Sequence, residues 1–335
     1  MCARHLDSAD LSCRIAGVLL RNPFVLASGI WGTSPSLLER AARAGAGAVT
    51  AKTCTPAPRR GHRNPTAVDW GHGLINAMGL PNPGVAEEIG LLREAARLLA
   101  PVGVPLIASI SADSPEDFAA AAIAVAAAGP ALIELNISCP NVASEHGEMF
   151  AASARAAAAV TAAVKAAVRL PILVKLSPNV PDIAAIARAV VDAGADGITA
   201  INTMPGMIVD PESGRPVLAN GSGGISGPAL LPIALRCVYE IARAVDVPII
   251  GTGGVTDAKD AVSMLSVGAT AVGVGSAIYH RGPDAFAILR SGLESWCVAH
   301  GVARAQELRG RTIHGPRPAT ITNLPPIPSG GPDHE

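Results

Sequence analysis

The chain has 335 residues, a length that suits one large α/β barrel or two ordinary domains. Hydrophobic residues make up 49% but aromatics only 3%, so the core must be built from Ala, Val, Leu and Ile. A net charge of −1 removes the basic footprint of a nucleic-acid or anionic-membrane binder and leaves a small molecule as the expected ligand.

The opening MCARHLDSAD lacks the apolar run of a signal peptide. Residues 1–22 are read as an N-terminal segment, 23–305 as one barrel domain and 306–335 as a Pro/Gly-rich tail. The alanine-rich uncharged stretch 118–133 is broken by Gly129-Pro130. It falls short of the ~20 apolar residues that span a bilayer. The six cysteines include no CxxC pair, so neither an iron–sulfur nor a zinc site is signalled, and no metal is expected. A soluble, cytoplasmic protein is the expectation.

Eight β-rich runs follow in order: PFVLASG (23–29), GAVTAKT (47–53), PLIASI (105–110), ALIELNI (131–137), PILVKL (171–176), GITAIN (197–202), VPIIGT (247–252) and TAVGVG (270–275). Helical stretches alternate with them at 35–44, 84–100, 115–128, 151–169, 181–193, 228–245, 256–267 and 283–300. Ser34-Pro35, Ser114-Pro115 and Thr256 read as helix starts; Gly45, Gly129, Gly194 and Gly268 read as helix stops. Strict alternation predicts a parallel sheet with helices outside. Eight units predict closure into a (β/α)8 TIM barrel, with a doubly wound open sheet as the alternative. Two long loops, 54–83 and 203–227, lie where barrel active sites are built, and loops of that length usually carry function.

The strand ends hold the candidate site. They present Ala27, Ser28 and Gly29, then Lys52 and Thr53, Ser109, Asn136 with Cys139 and Asn141 beyond, Lys175, Asn202 and Thr203, Gly253 and Gly254, and Gly275 and Ser276. Lys52 and Lys175 interrupt apolar strands. Each is either a rim lysine reaching water or a cation beside an anionic ligand. The glycine-bearing ends of the last two strands match the place where barrels of this kind bind phosphate through bare backbone N–H groups. No GxGxxG follows the first strand. Cys139, in a loop beside Pro140, is either a small buried hydrophobe or a reactive thiol. A nucleophile would want a nearby histidine, whereas a general base needs only reach and a thiolate.

Several motifs resemble class 1 dihydroorotate dehydrogenases, and class 1B most. They are ASG at 27–29, LINAMGLPNPG at 74–84, ELNISCPNV at 134–142, VKLSPNV at 174–180, INT at 201–203, GGISGPALLPIALR at 223–236, PIIGTGGV at 248–255 and AVGVGSA at 271–277. The resemblance implies FMN on the barrel and oxidation of (S)-dihydroorotate to orotate in pyrimidine (UMP) biosynthesis. It implies Cys139 as the general base. It implies FMN contacts from Ala27, Ser28, Gly29, Lys52, Thr53, Ser109, Asn136, Lys175, Ile201, Gly227, Gly253, Gly254, Gly275 and Ser276. Substrate contacts would come from Lys52, Asn76, Met78, Gly79, Leu80, Asn136, Asn141, Asn202 and Thr203. A homodimer core and a separate FAD/[2Fe–2S] electron-transfer subunit are further implications. After SCPNV the chain reads ASEHGEMFA where class 1B enzymes carry a glycine-rich HGG…FG stretch. Two alternatives stand at this point: a dihydropyrimidine dehydrogenase-type reductase, and a non-flavin (β/α)8 lyase or isomerase acting on a phosphorylated substrate.

Overall fold

In a computed structural model, residues 6–137 and 150–315 are described, so Cys139 and Asn141 lie outside the described residues. Eight parallel strands close in sequence order: β1 (Phe24–Leu26), β2 (Ala48–Thr50), β3 (Leu106–Ile110), β4 (Leu132–Asn136), β5 (Ile172–Leu176), β6 (Gly197–Ala200), β7 (Ile249–Thr252) and β8 (Ala271–Val274). The fold is therefore the (β/α)8 barrel, not the open sheet. Helices α1 (Pro35–Arg43), α2 (Val85–Leu99), α3 (Pro115–Ala126), α4 (Ala154–Ala167), α5 (Ile183–Asp192), α6 (Leu231–Ala244), α7 (Ala258–Ser266) and α8 (Asp284–Ala299) alternate with the strands. Ser34 and Ser114 cap α1 and α3 through backbone N–H groups of Leu37 and Asp117. The start of α7 differs from expectation. Asp257 is its cap, in a reciprocal pair with Asp260, because a carboxylate at that position reaches two amides. Thr256 instead donates to Asp260 Oδ2 at 2.8 Å. The segment 228–245 begins with a 3-10 turn, Pro228–Leu230, before α6. Among the described residues no helix is long and apolar enough to cross a membrane.

Side chains two apart on a strand share a face, and this gives the barrel interior two different layers. The lower layer is apolar: Val25, Ala48, Ile107, Leu132, Leu173, Ile250 and Ala271. Against it packs a hairpin of Cys13–Ile15 and Val18–Leu20, burying Cys13, Ile15 and Leu20. The hairpin turns at Ala16 and Gly17, whose φ values of 47° and 85° suit the twist of a two-residue connection. Two residues further along the same strands the layer turns polar, with Thr50, Ser109, Glu134, Lys175 and Thr199 all buried.

The two long loops are not irregular. Ala67–Asp69, Leu74–Asn76, Gly223–Ser226 and Met204–Gly206 form one antiparallel sheet with Leu74–Asn76 and Gly223–Ser226 in the middle. Asn76 pairs with Gly224 on one side and with Ala67 on the other. This sheet roofs the C-terminal ends of the barrel strands.

Candidate active site

Between strand ends and roof lies a cavity of about 620 Å³. From the barrel it is lined by Ala27, Ser28, Gly29, Lys52, Thr53, Asn136, Lys175, Ile201, Asn202, Thr203, Gly253, Gly254, Gly275 and Ser276. From the loops it is lined by Asn76, Met78, Gly79, Leu80 and Gly227. Nineteen of the residues singled out from the sequence thus converge on one space. Ser109 does not reach it; it is buried one layer below, under Thr53.

Sequence reasoning missed several lining residues, among them His62, Ser177 and Asn179. Ser177 and Asn179 lay within the quoted VKLSPNV, one and three residues beyond the strand. His62 had no such signal. Its backbone N–H donates to Met78 O at 3.0 Å and its Nδ1 lies 3.1 Å from Ala77 O. The ring rests on Gly79, where a Cβ would meet His62 Cδ2 at 2.7 Å. The next residue, Leu80, has φ +56°, a left-handed conformation that bulky residues adopt only when the surroundings impose it. Asn82 helps impose it. Its Nδ2 donates to Leu80 O and its Oδ1 accepts from the N–H groups of Thr55 and Gly84.

At the opposite end the backbone is bare. A Cβ on Gly254 would lie 2.6 Å from Leu231 N and 2.8 Å from Gly227 O, so this loop abuts the start of α6. A Cβ on Gly275 would meet only Ala27 Cβ, at 3.9 Å. Thr252 Oγ1 is buried with no partner among the described residues. Lys175 is 6% exposed, and no carboxylate among the described residues lies within ion-pairing distance of it. Glycine backbone, an orphaned hydroxyl and a buried ammonium together suit a polar, anionic ligand that carries phosphate.

Lys52 faces Glu88 of α2. Burial, and then the neighbouring Glu87, push the Glu88 carboxyl up to about 7, and Lys52 opposes the shift. The four described cysteines, Cys13, Cys54, Cys237 and Cys297, are all buried. Burial pushes the thiols of Cys13 and Cys54 up to about 12 and raises those of Cys237 and Cys297. None of the four supplies a thiolate at neutral pH. Among the described residues no cluster of three His, Cys, Asp or Glu could hold a metal.

A closed parallel barrel with a roofed cavity at its C-terminal strand ends defines a (β/α)8 protein carrying its ligand site where such barrels carry their active sites. The sequence profile of the family described as dihydroorotate dehydrogenase matches residues 10–296. The dihydroorotate dehydrogenase B (NAD(+)) catalytic subunit of Methanothermobacter thermautotrophicus is 45% identical over 304 residues, covering 90% of this chain and 97% of that one. Its counterpart in Pyrococcus abyssi is 40% identical over 303 residues, covering 90% and 99%. A crystal structure of DHODH from Eimeria tenella in complex with ferulenol superposes with a TM-score of 0.78 at 22% identity, covering 94% of this chain and 91% of that one, and shares the fold. The chain belongs to the dihydroorotate dehydrogenase family, and these two curated relatives are class 1B catalytic subunits.

Proposed function

We propose that the chain oxidises (S)-dihydroorotate to orotate, a step of pyrimidine biosynthesis, with FMN held in the roofed cavity. The observation that carries this reading is the convergence of side-chain amides, Asn76, Asn136 and Asn202 among them, and two lysines on a cavity whose far end is glycine backbone. FMN, when bound, supplies a hydride acceptor. Backbone N–H groups at Gly253, Gly254, Gly275 and Ser276 would hold its phosphate, with Ala27, Ser28, Gly29, Thr53, Ile201 and Gly227 along its length. Lys175 would place a positive charge beside the flavin ring. Lys52 would lie near both cofactor and substrate.

Orotate is flat, with carbonyls, ring N–H groups and a carboxylate along its edge. Amides both donate and accept, so Asn76, Asn136 and Asn202, with Asn141, match that edge without adding a full charge. Backbone N–H groups of Met78, Gly79 and Leu80 would take the carboxylate, with the Thr203 hydroxyl beside it. Forming the C5–C6 double bond also requires a base for the C5 proton. Cys139, three residues past Asn136 in the chain, takes that role as a thiolate. Ser109 acts from below rather than by contact with the cofactor. Electrons then leave through a separate FAD/[2Fe–2S] subunit that reduces NAD, in keeping with relatives named as catalytic subunits of NAD(+) enzymes.

The test is to purify the chain, record its visible spectrum and add dihydroorotate without oxygen. A yellow protein that bleaches with formation of orotate is the expected result. A colourless protein, or a yellow one that dihydroorotate leaves unchanged while uracil derivatives react, overturns the reading.

A further inference from the structure

Beneath the cavity a ladder of hydroxyls ends on a carboxylate that the proposed chemistry does not use. Ser28 Oγ lies 2.9 Å from Thr53 Oγ1, and Thr53 Oγ1 lies 2.9 Å from Ser109 Oγ. Ser109 donates to Glu134 Oε1 at 3.1 Å, and Thr199 donates to Glu134 Oε2 at 3.0 Å. Thr53, Ser109, Glu134 and Thr199 are each no more than 3% exposed. A side branch leaves the ladder at Thr53. Asn136 Nδ2 donates to Thr53 Oγ1 at 3.4 Å, Asn202 Nδ2 to Asn136 Oδ1 at 3.4 Å, and Thr203 N to Asn202 Oδ1 at 2.8 Å.

The directions of these bonds follow from proton counting. A carboxylate only accepts, and a hydroxyl has one proton to give. The Ser109 proton is therefore spent on Glu134, and Ser109 must accept from Thr53. Thr53 has then spent its own proton and can only accept, from Ser28 and from Asn136. That holds the Asn136 amide with Nδ2 toward Thr53 and Oδ1 toward Asn202. The Asn202 amide is set in turn, with its oxygen taking the Thr203 N–H. Lys175 is in register with Asn136 and with Thr199 on the neighbouring strands.

We infer that Glu134 is a positioning residue: acting through Ser109 and Thr53, its carboxylate fixes the orientation of the Asn136 and Asn202 amides and so which donors and acceptors the cavity presents to a flat, mixed-polarity ligand. The inference deepens the dihydroorotate reading and rests on it, because orotate is the ligand that reports on those amides.

The experiment measures orotate dissociation constants from the visible spectrum of the FMN-loaded full chain, with the melting temperature of each ligand-free protein as a control. Glu134→Leu removes the acceptor at the end of the ladder, and Ser109→Ala cuts it one link earlier. Each is expected to weaken orotate about tenfold or more, the scale of one hydrogen bond to a charged group. The double variant is expected to lose no more than the worse single, since both break the same chain. Glu134→Gln retains an oxygen that can take the Ser109 proton and is expected to stay within about threefold of the parent. If Glu134→Leu does not fold, Ser109→Ala decides alone. Parent-like orotate binding by Ser109→Ala, losses that multiply in the double variant, or Glu134→Gln as impaired as Glu134→Leu each overturn the inference. Failure of the underlying reading looks different, because the parent protein itself would not bind orotate.

Discussion

Replacing Gly275 with valine separates cofactor binding from folding, and Gly254 is its control. At Gly275 a Cβ meets only Ala27 Cβ, at 3.9 Å, an ordinary contact. The residue nevertheless lines the cavity, so the branched side chain takes space through which backbone N–H groups would approach a phosphate. Losing two hydrogen bonds to a charged group, at roughly 1.5–3 kcal/mol each, weakens FMN by about 100-fold or more. Gly254 behaves differently. Its φ of +77° and a Cβ 2.6 Å from Leu231 N strain the backbone and press on the start of α6. Left-handed strain alone costs about 1–3 kcal/mol, so Gly254→Val is expected to melt several degrees lower as well as to lose FMN. The assay is thermal unfolding of the ligand-free proteins beside a titration of FMN fluorescence. Gly275→Val that melts like the parent and still binds FMN with parental affinity refutes the phosphate assignment.

Cys139→Ala is expected to keep FMN and fold while turning over about 10²–10⁴-fold more slowly; near-normal turnover removes the base assignment. Cys139→Ser should retain a trace of activity that rises with pH, and a flat profile counts against a thiolate base. Glu88 has a carboxyl raised from 4.5 to about 7 in the folded chain, so the native state holds its proton longer than the unfolded state does. Stability therefore falls as pH rises from the unfolded value through the folded one, and levels off above it. Glu88→Gln should remove that slope and gain about 2 kcal/mol on the parent between pH 4.5 and 8, after allowing for partial screening; parallel denaturation curves at both pH values contradict this. The isolated chain should reduce artificial acceptors with dihydroorotate but not NAD. Efficient NAD reduction by the chain alone would remove the need for a second subunit, and rapid fumarate reduction would place it with class 1A.

The barrel was legible because its signals are local. Most β-rich runs are followed within a short span by a helix, several of them with a side-chain cap, and the eight repeats add up to closure without any long-range information. Most of the barrel-side cavity residues were legible for a related reason, since in this fold the end of a strand is the wall of the site; Asn76, Met78, Gly79, Leu80 and Gly227, which come from the loops, were named only through the resemblance of their motifs to the family. What escaped depends on pairing between distant segments. Leu74–Asn76 is too short, and Gly223–Ser226 both too short and too glycine-rich, to read as a strand, and nothing near either names the other as its partner. The hairpin at 13–20 has three-residue strands and a turn with no Asn-Gly or Asp-Gly signature. Glu134 sat in view within ELNISCPNV. Its weight came only from the structure, which places Ser109 and Thr199 of neighbouring strands on its two oxygens.

The roof sheet reverses the usual tolerance of surface loops to changes in length. Its middle strand, Leu74–Asn76, is held in register on both edges, by Ala67–Asp69 and by Gly223–Ser226. Inserting or deleting one residue inside either loop, within the paired stretches or between them and the barrel, shifts that register and turns alternate side chains over. Asn76 would then leave the cavity although no cavity residue had been altered. Extra length can be absorbed where the chain is exposed and clear of the sheet, at the 211–214 tip of the small hairpin formed by Val209–Asp210 and Arg215–Pro216. That tip is the place for grafting a tag or a peptide, and a chain carrying one there should keep its ligand site, whereas a graft at residues 77–83 or 217–222 should not.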